Sequence, residues 1–255
     1  MLTEEIITEF ILSFEGKRVT DLLSGKPTFA NADYYFPDEN ILIELKALQK
    51  DLFAEEDLAR NEKMIDTWLS EKKLAKADII PVLIGLKELP EACYLDVFGA
   101  VRKTLQRIVG KAHKQLIETK KVLGNDQTKT MLIVCNDGNY FLSHDVLFST
   151  LENLLSDRKE IHIDCLIYFT LNQLSKIEGS ELEWIVWLPS YARESKEGLQ
   201  QFVNELGAKY FTFCTTALGI TDGEHRQYPD QEEGNKVLKQ TSFIPKQSDT
   251  ENQRD

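Results

Sequence analysis

Asp33, Glu44 and Lys46 have the residue types and the spacing that hydrolysis of a phosphodiester calls for. They lie in the segment NADYYFPDENILIELKAL. Here Tyr34, Tyr35 and Phe36 favour one strand, Pro37-Asp38-Glu39-Asn40 has turn chemistry, and Ile41 onward favours a second strand. Side chains two apart share a strand face, so Glu44 and Lys46 project together with Leu42, while Ile41, Ile43 and Leu45 face the other way. If the four turn residues form the loop, Phe36 pairs with Ile41. The same count pairs Asp33 with Glu44, setting their Cβ atoms about 5 Å apart. Carboxylates that close repel, and a divalent cation between them turns the repulsion into attraction. Mg2+ characteristically takes one or two carboxylates and completes its shell with water and phosphate oxygens. Lys46 adds a cation able to orient an attacking water and to stabilise negative charge developing on the phosphate. A solvated hairpin face with a defensive edge lysine is the plain alternative for the same residues.

Several elements must hold this hairpin. Residues 2–14 place Leu2, Ile6, Phe10 and Phe14 four apart, which predicts an amphipathic helix, and Gly16 ends it. Residues 17–30 read as an extended segment and a loop. Residues 51–73 are rich in helix formers, with Asp51 placed to cap them. IIPVLIGL, at 79–86, reads as a strand broken or begun near Pro81. A long helix over 97–123 carries Arg102, Lys103, Arg107, Lys111, His113, Lys114, Lys120 and Lys121, and ends at Gly124-Asn125. Beyond it the pattern predicts a strand at 130–135, a turn at Asn136-Asp137-Gly138-Asn139, and a helix at 144–157. Strands at 163–170 and 183–188, a helix at 195–206 and a strand at 209–215 follow. His144 and Asp145 invite a metal or acid–base reading but are better explained as helix capping. This alternation predicts an α/β fold with a mixed β-sheet flanked by helices. From Thr221 onward the chain is polar and reads as a disordered or loosely docked tail.

At Asp33 and Glu44-Leu45-Lys46 the chain resembles the PD-(D/E)xK nuclease superfamily, whose restriction-endonuclease-like core is an αβββαβ unit. The resemblance covers roughly residues 1–136, within a single domain over 1–220, with a helical insertion at about 50–95 and the tail at 221–255. It implies Mg2+ or Mn2+ bound by Asp33, Glu44 and the backbone carbonyl of Leu45, with Lys46 as the catalytic cation. It departs from the family pattern at Ala32, where a proline often stands. The family sometimes adds a metal-binding glutamate from the first helix, for which Glu9, one turn after Glu5, is the candidate. Arg102, Lys103, Arg107, Lys114 and Gln115 are the candidate contacts to a nucleic acid, with DNA favoured. The resemblance also allows a homodimer, since many such nucleases pair two sites to cut two strands, and it places the chain in restriction or defence. A non-catalytic interaction or nucleic-acid-binding protein that keeps the fold is the competing function.

Composition sets outer bounds. The net charge of -12 argues against a protein that coats nucleic acid indiscriminately, because that depends on lysine and arginine in excess. It does not argue against a nuclease, since a metal-holding site is itself acidic. Cys93, Cys135, Cys165 and Cys214 show no CxxC pair, which predicts buried reduced thiols with no zinc site. No apolar run approaches the roughly 18 residues of a membrane span, and the acidic N-terminus lacks a signal pattern, so a cytoplasmic location without membrane contact is expected.

Overall fold

The computed structural model describes residues 3–23, 27–48, 58–83, 86–138, 142–156, 161–171, 174–177, 183–192, 197–218 and 231–243. The opening helix α1 (Thr3–Ser13) leads into β1 (Lys17–Arg18), the short α2 (Val19–Leu22), and the hairpin of β2 (Tyr34–Phe36) and β3 (Ile41–Leu48). Helices α3 (Leu58–Ser70) and α4 (Ile79–Leu83) precede the long α5 (Glu91–Leu123), which crosses over to β4 (Lys129–Asn136). Then come α6 (His144–Ser156), β5 (Cys165–Thr170), β6 (Ser175–Ile177), β7 (Glu183–Trp184), β8 (Trp187–Tyr191), α7 (Leu199–Leu218), α8 (Gln231–Lys239) and β9 (Thr241–Phe243).

The molecule is an α/β fold built on a mixed sheet of order β1-β2-β3-β4-β5-β8. Its centre, β3-β4-β5, is parallel, and β1, β2 and β8 are antiparallel to their neighbours. A parallel pair needs a crossover, and α5 supplies the one between β3 and β4. Both faces are covered, as the unbroken burial of β4 and β5 requires. Ile41, Ile43 and Leu45 pack with Met131, Ile133, Phe10 and Leu206 on the side of α1 and α7. Leu42, Leu132 and Val134 pack with Val101, Leu105 and Leu116 of α5 and Leu147 and Leu151 of α6 on the other. A second sheet of order β7-β6-β9 is antiparallel throughout. All four cysteines are buried free thiols. No described helix is long and apolar enough to cross a membrane.

Three expectations are corrected. IIPVLIGL contributes a helix: Pro81 stands in the first turn of α4, where its missing N–H has no intrahelical partner to lose, and Ile80 is largely exposed. The helix and strand expected over 195–215 are one helix, because Leu199, Val203, Leu206, Tyr210 and Cys214 recur every three or four residues and all are buried. The strand at 183–188 divides between the two sheets, as β7 and the start of β8. The polar C-terminal segment contains α8 and β9. Leu238 is buried in the core beside α6, and β9 pairs with β6. Between Leu22 and Asp33, residues 24–26 lie outside the described residues, as do the expected cap Asp51 and turn residue Asn139.

Candidate active site

The hairpin has the register that the turn count predicts: Tyr34 faces Ile43, Tyr35 faces Leu42 and Phe36 faces Ile41. Asn40 closes the turn with a φ of 56°, a conformation asparagine tolerates better than most side chains. Its Oδ1 accepts from Tyr35 Oη at 3.1 Å and from Thr128 Oγ1 at 2.7 Å, which ties the turn to the approach of β4.

Asp33 stands one residue before β2, where regular pairing has stopped. Its N–H donates to the Ile43 carbonyl at 3.1 Å, and its Oδ2 accepts from the Leu45 N–H at 2.8 Å. The carboxylate thus replaces the strand backbone that would otherwise have continued along β3, and it is fixed beside Glu44. Residues on a strand send N–H and C=O to the same neighbour, so the Leu45 carbonyl leaves β3 on the side where Asp33 stands. The Leu45 side chain is buried on the opposite face of the sheet.

Glu44 is fully buried beneath α5. Its Oε1 is paired with Lys46 Nζ, and its Oε2 is buried without a hydrogen-bond partner. Burial and then the neighbouring Asp33 charge push the Glu44 carboxyl up to about 8. Asp33 is raised too, chiefly by burial, with the Leu45 N–H and Lys46 pulling the other way. The first-helix carboxylate whose charge reaches Asp33 is Glu4; Glu9 is exposed.

Lys46 keeps part of its side chain in solvent and donates to Gln115 Oε1 at 3.2 Å. Gln115 Nε2 donates to the Asn31 carbonyl at 2.8 Å. One turn later the buried Thr119 accepts from the Ala32 N–H at 2.7 Å. Successive turns of α5 therefore grip the two residues that precede Asp33, and one of these grips also holds Lys46. Sequence reasoning assigned Gln115 to nucleic-acid contact and passed over Thr119. The available signal was a polar pair four apart beside the apolar stripe of Val109, Ala112 and Leu116.

The remaining candidates divide. Lys103, Arg107 and Lys114 are exposed on the outer surface of α5. Arg102, by helical periodicity, lies on the flank shared with His113, whose Nδ1 accepts from the His162 N–H.

Among the described residues no group of three or more His, Cys, Asp and Glu is arranged to hold a metal. Asp33 and Glu44 form a pair, and the Leu45 carbonyl would be a third oxygen. The orphaned Oε2 of Glu44 is the feature a cation would satisfy, and Mg2+ binds through few protein carboxylates. The residues present therefore fit a hard divalent ion. Comparison of the chain with family models, curated proteins and solved structures finds no match.

Proposed function

We propose that the chain is a divalent-metal-dependent nuclease with a restriction-endonuclease-like core and Asp33, Glu44 and Lys46 as its active site. The observation that carries this reading is Glu44: a fully buried carboxylate with an unpartnered oxygen, beside a second carboxylate. A structural glutamate that deep is ordinarily satisfied on both oxygens, because an unmatched buried polar oxygen costs about 1–3 kcal/mol. With α2, α3 and α4 set aside as insertions, the order α1, β1, β2, β3, α5, β4 supports the fold assignment, since it matches the αβββαβ order of that core.

Asp33, Glu44 and the Leu45 carbonyl would hold Mg2+ or Mn2+, which when bound lowers the pKa of its water and neutralises phosphate charge. To serve as a ligand Glu44 would be ionised, its proton released to solvent. Lys46, held by Gln115 at the partly open edge of the site, orients the attacking water and stabilises the charge that gathers on the phosphate oxygens. Gln115 acts through Lys46 and is a positioning residue.

The test is incubation of the full chain with duplex DNA, single-stranded DNA and RNA, each with Mg2+, Mn2+ or chelator. Cleavage confined to the metal-containing reactions is expected, with DNA the favoured substrate. Folded protein that leaves every substrate intact with both metals would sink the enzymatic reading in favour of a non-catalytic binding protein.

A further inference from the structure

Between Asp96 and Glu118, α5 carries Arg102, Lys103, Arg107, Lys111 and Lys114 and no acidic residue, although Asp and Glu outnumber Lys and Arg by 42 to 30 over the chain. An ordinary solvated helix face mixes signs and gains from opposite charges three or four apart. Solubility does not call for this cluster either, since a net charge of -12 already provides it.

At 3.6 residues per turn, Lys103, Arg107, Lys114 and Lys121 fall within roughly 40° of one another, opposite the buried stripe, and the line they make is about 27 Å long. All four are exposed. Among the described residues no carboxylate lies within ion-pair distance of Lys103, Arg107 or Lys121. Lys114 has Glu118 at 3.8 Å, with its own side chain 72% exposed, a pairing too wet and too long to neutralise it. Lys111, also exposed, stands one turn before Gln115 on the same edge of the helix, so the basic surface runs up to the residue that holds Lys46.

We infer that this outward stripe of α5, Lys103, Arg107, Lys111, Lys114 and Lys121, is a track for the phosphate backbone of a nucleic acid, leading to Lys46. The choice of nucleic acid over another polyanion rests on the nuclease reading; the track itself rests on the charge distribution. Arg102 and Gln115 are not part of it. Side chains that meet only phosphates read no bases, so the track binds without sequence preference.

Fluorescence anisotropy in chelator tests this without cleavage, using labelled oligonucleotides of equal length as duplex DNA, duplex RNA and single-stranded DNA. Wild type is expected to bind duplexes with affinity falling steeply with salt, at a log–log slope of about -4 for four to five phosphate contacts. Arg107→Glu with Lys114→Glu should weaken binding at least about tenfold at 100 mM salt and reduce the slope by about two. Lys209→Glu with Lys239→Glu changes the net charge equally at exposed sites off α5, and should leave affinity within about twofold. Similar affinities for DNA and RNA duplexes mark recognition of backbone alone. Thermal melts of both doubles should match wild type. Equal losses in the two doubles, absence of nucleic-acid binding by wild type, or binding only to anionic vesicles would each overturn the track. Metal-dependent cleavage that persists in the stripe double at undiminished affinity would retire the track and leave the nuclease reading standing. Stripe-dependent binding without cleavage by wild type would do the reverse.

Discussion

Two buried polar groupings lie on the α5–α6 side of one sheet, and they are finished to different degrees. Asn136 Nδ2 donates to Tyr168 Oη at 3.0 Å; Tyr168 Oη meets His144 Nδ1 at 2.9 Å; His144 Nε2 meets Ser175 Oγ at 2.6 Å. All four residues are fully buried. With a neutral imidazole, the Tyr168 hydroxyl can donate to Nδ1 and Nε2–H to Ser175, so each link has one donor and one acceptor. The Asp33–Glu44 grouping closes less fully: Glu44 Oε1 pairs with Lys46, its carboxyl, pushed up to about 8, holds a proton at neutral pH that it can share with Asp33, and its Oε2 is left over. Neutral groups that satisfy one another describe a fixture joining β4, β5, α6 and β6. Two carboxyls beside one lysine, with a buried oxygen left over, lack that closure.

The largest effect that would break the contrast is on catalysis. Lys46→Ala should lower metal-dependent cleavage by about a hundredfold or more, in the range seen when one group stabilising a transition state is removed. Its melting temperature should stay near wild type. A parallel collapse of folding and activity in a melt and a cleavage time course would make Lys46 structural.

His144→Ala should do the opposite. It leaves Tyr168 and Ser175 with unmatched buried groups and a void, which destabilises the fold by about 3 kcal/mol. The loss, read by denaturant titration, should be the same with chelator and with Mg2+. A metal-dependent loss would mean that the two groupings are one site.

Protonation separates them by sign. His144 is lowered from 6.5 to about 4 by burial, so the unfolded chain binds the proton more readily and stability falls as pH drops from 6.5 toward 4. Glu44 is raised from 4.5 to about 8, so the folded chain keeps a proton the unfolded chain has lost, and stability falls as pH rises from 4.5 toward 8. In chelator, the stability of Glu44→Gln relative to wild type should therefore grow steadily across that interval. A pH-independent difference between the two proteins would contradict the assignment.

The smallest effect is the metal response of the melt. Wild type should gain about 1.4 kcal/mol from Mg2+ or Mn2+ at ten times the dissociation constant. Glu44→Gln and Asp33→Asn should melt at or above wild type in chelator and gain little from metal. Equal metal shifts in all three would place the cation elsewhere.

The contrast also marks what was legible in the residues. The hairpin register followed from a turn that names itself, Pro37 to Asn40, and from strand parity. That parity fixes the shared face of Glu44 and Lys46 whatever packs above them. Asp33 was legible as Glu44's neighbour, but its manner of attachment, through the Leu45 N–H, was not. A side chain standing in for a strand has no periodic signature. Gln115 was visible only as a polar residue on a basic helix, because its role depends on a partner 69 residues away. Short apolar runs were ambiguous for a related reason. IIPVLIGL fits a strand or one helical turn equally, and the aromatics at Tyr210, Phe211 and Phe213 masked the helical spacing that ran through them. The neutral network was illegible as such: Asn136 reads as a turn residue and His144 as part of a cap until the sheet brings Tyr168 between them.

The separation between Lys46 and Gln115 also orders events in time. A chain emerging from the ribosome can close the local β2–β3 hairpin as soon as its turn is out, within microseconds. The clamp on Lys46 waits for the whole crossover helix, and the sheet position that anchors that helix waits for β4. Contacts at such sequence distance form late, because loop closure must be met before they contribute. A nascent or truncated chain thus displays both carboxylates early while Lys46 has only Glu44, on its own strand, to hold it. On the proposed reading, the ability to cut is acquired only with the completed core, which keeps half-made copies inert.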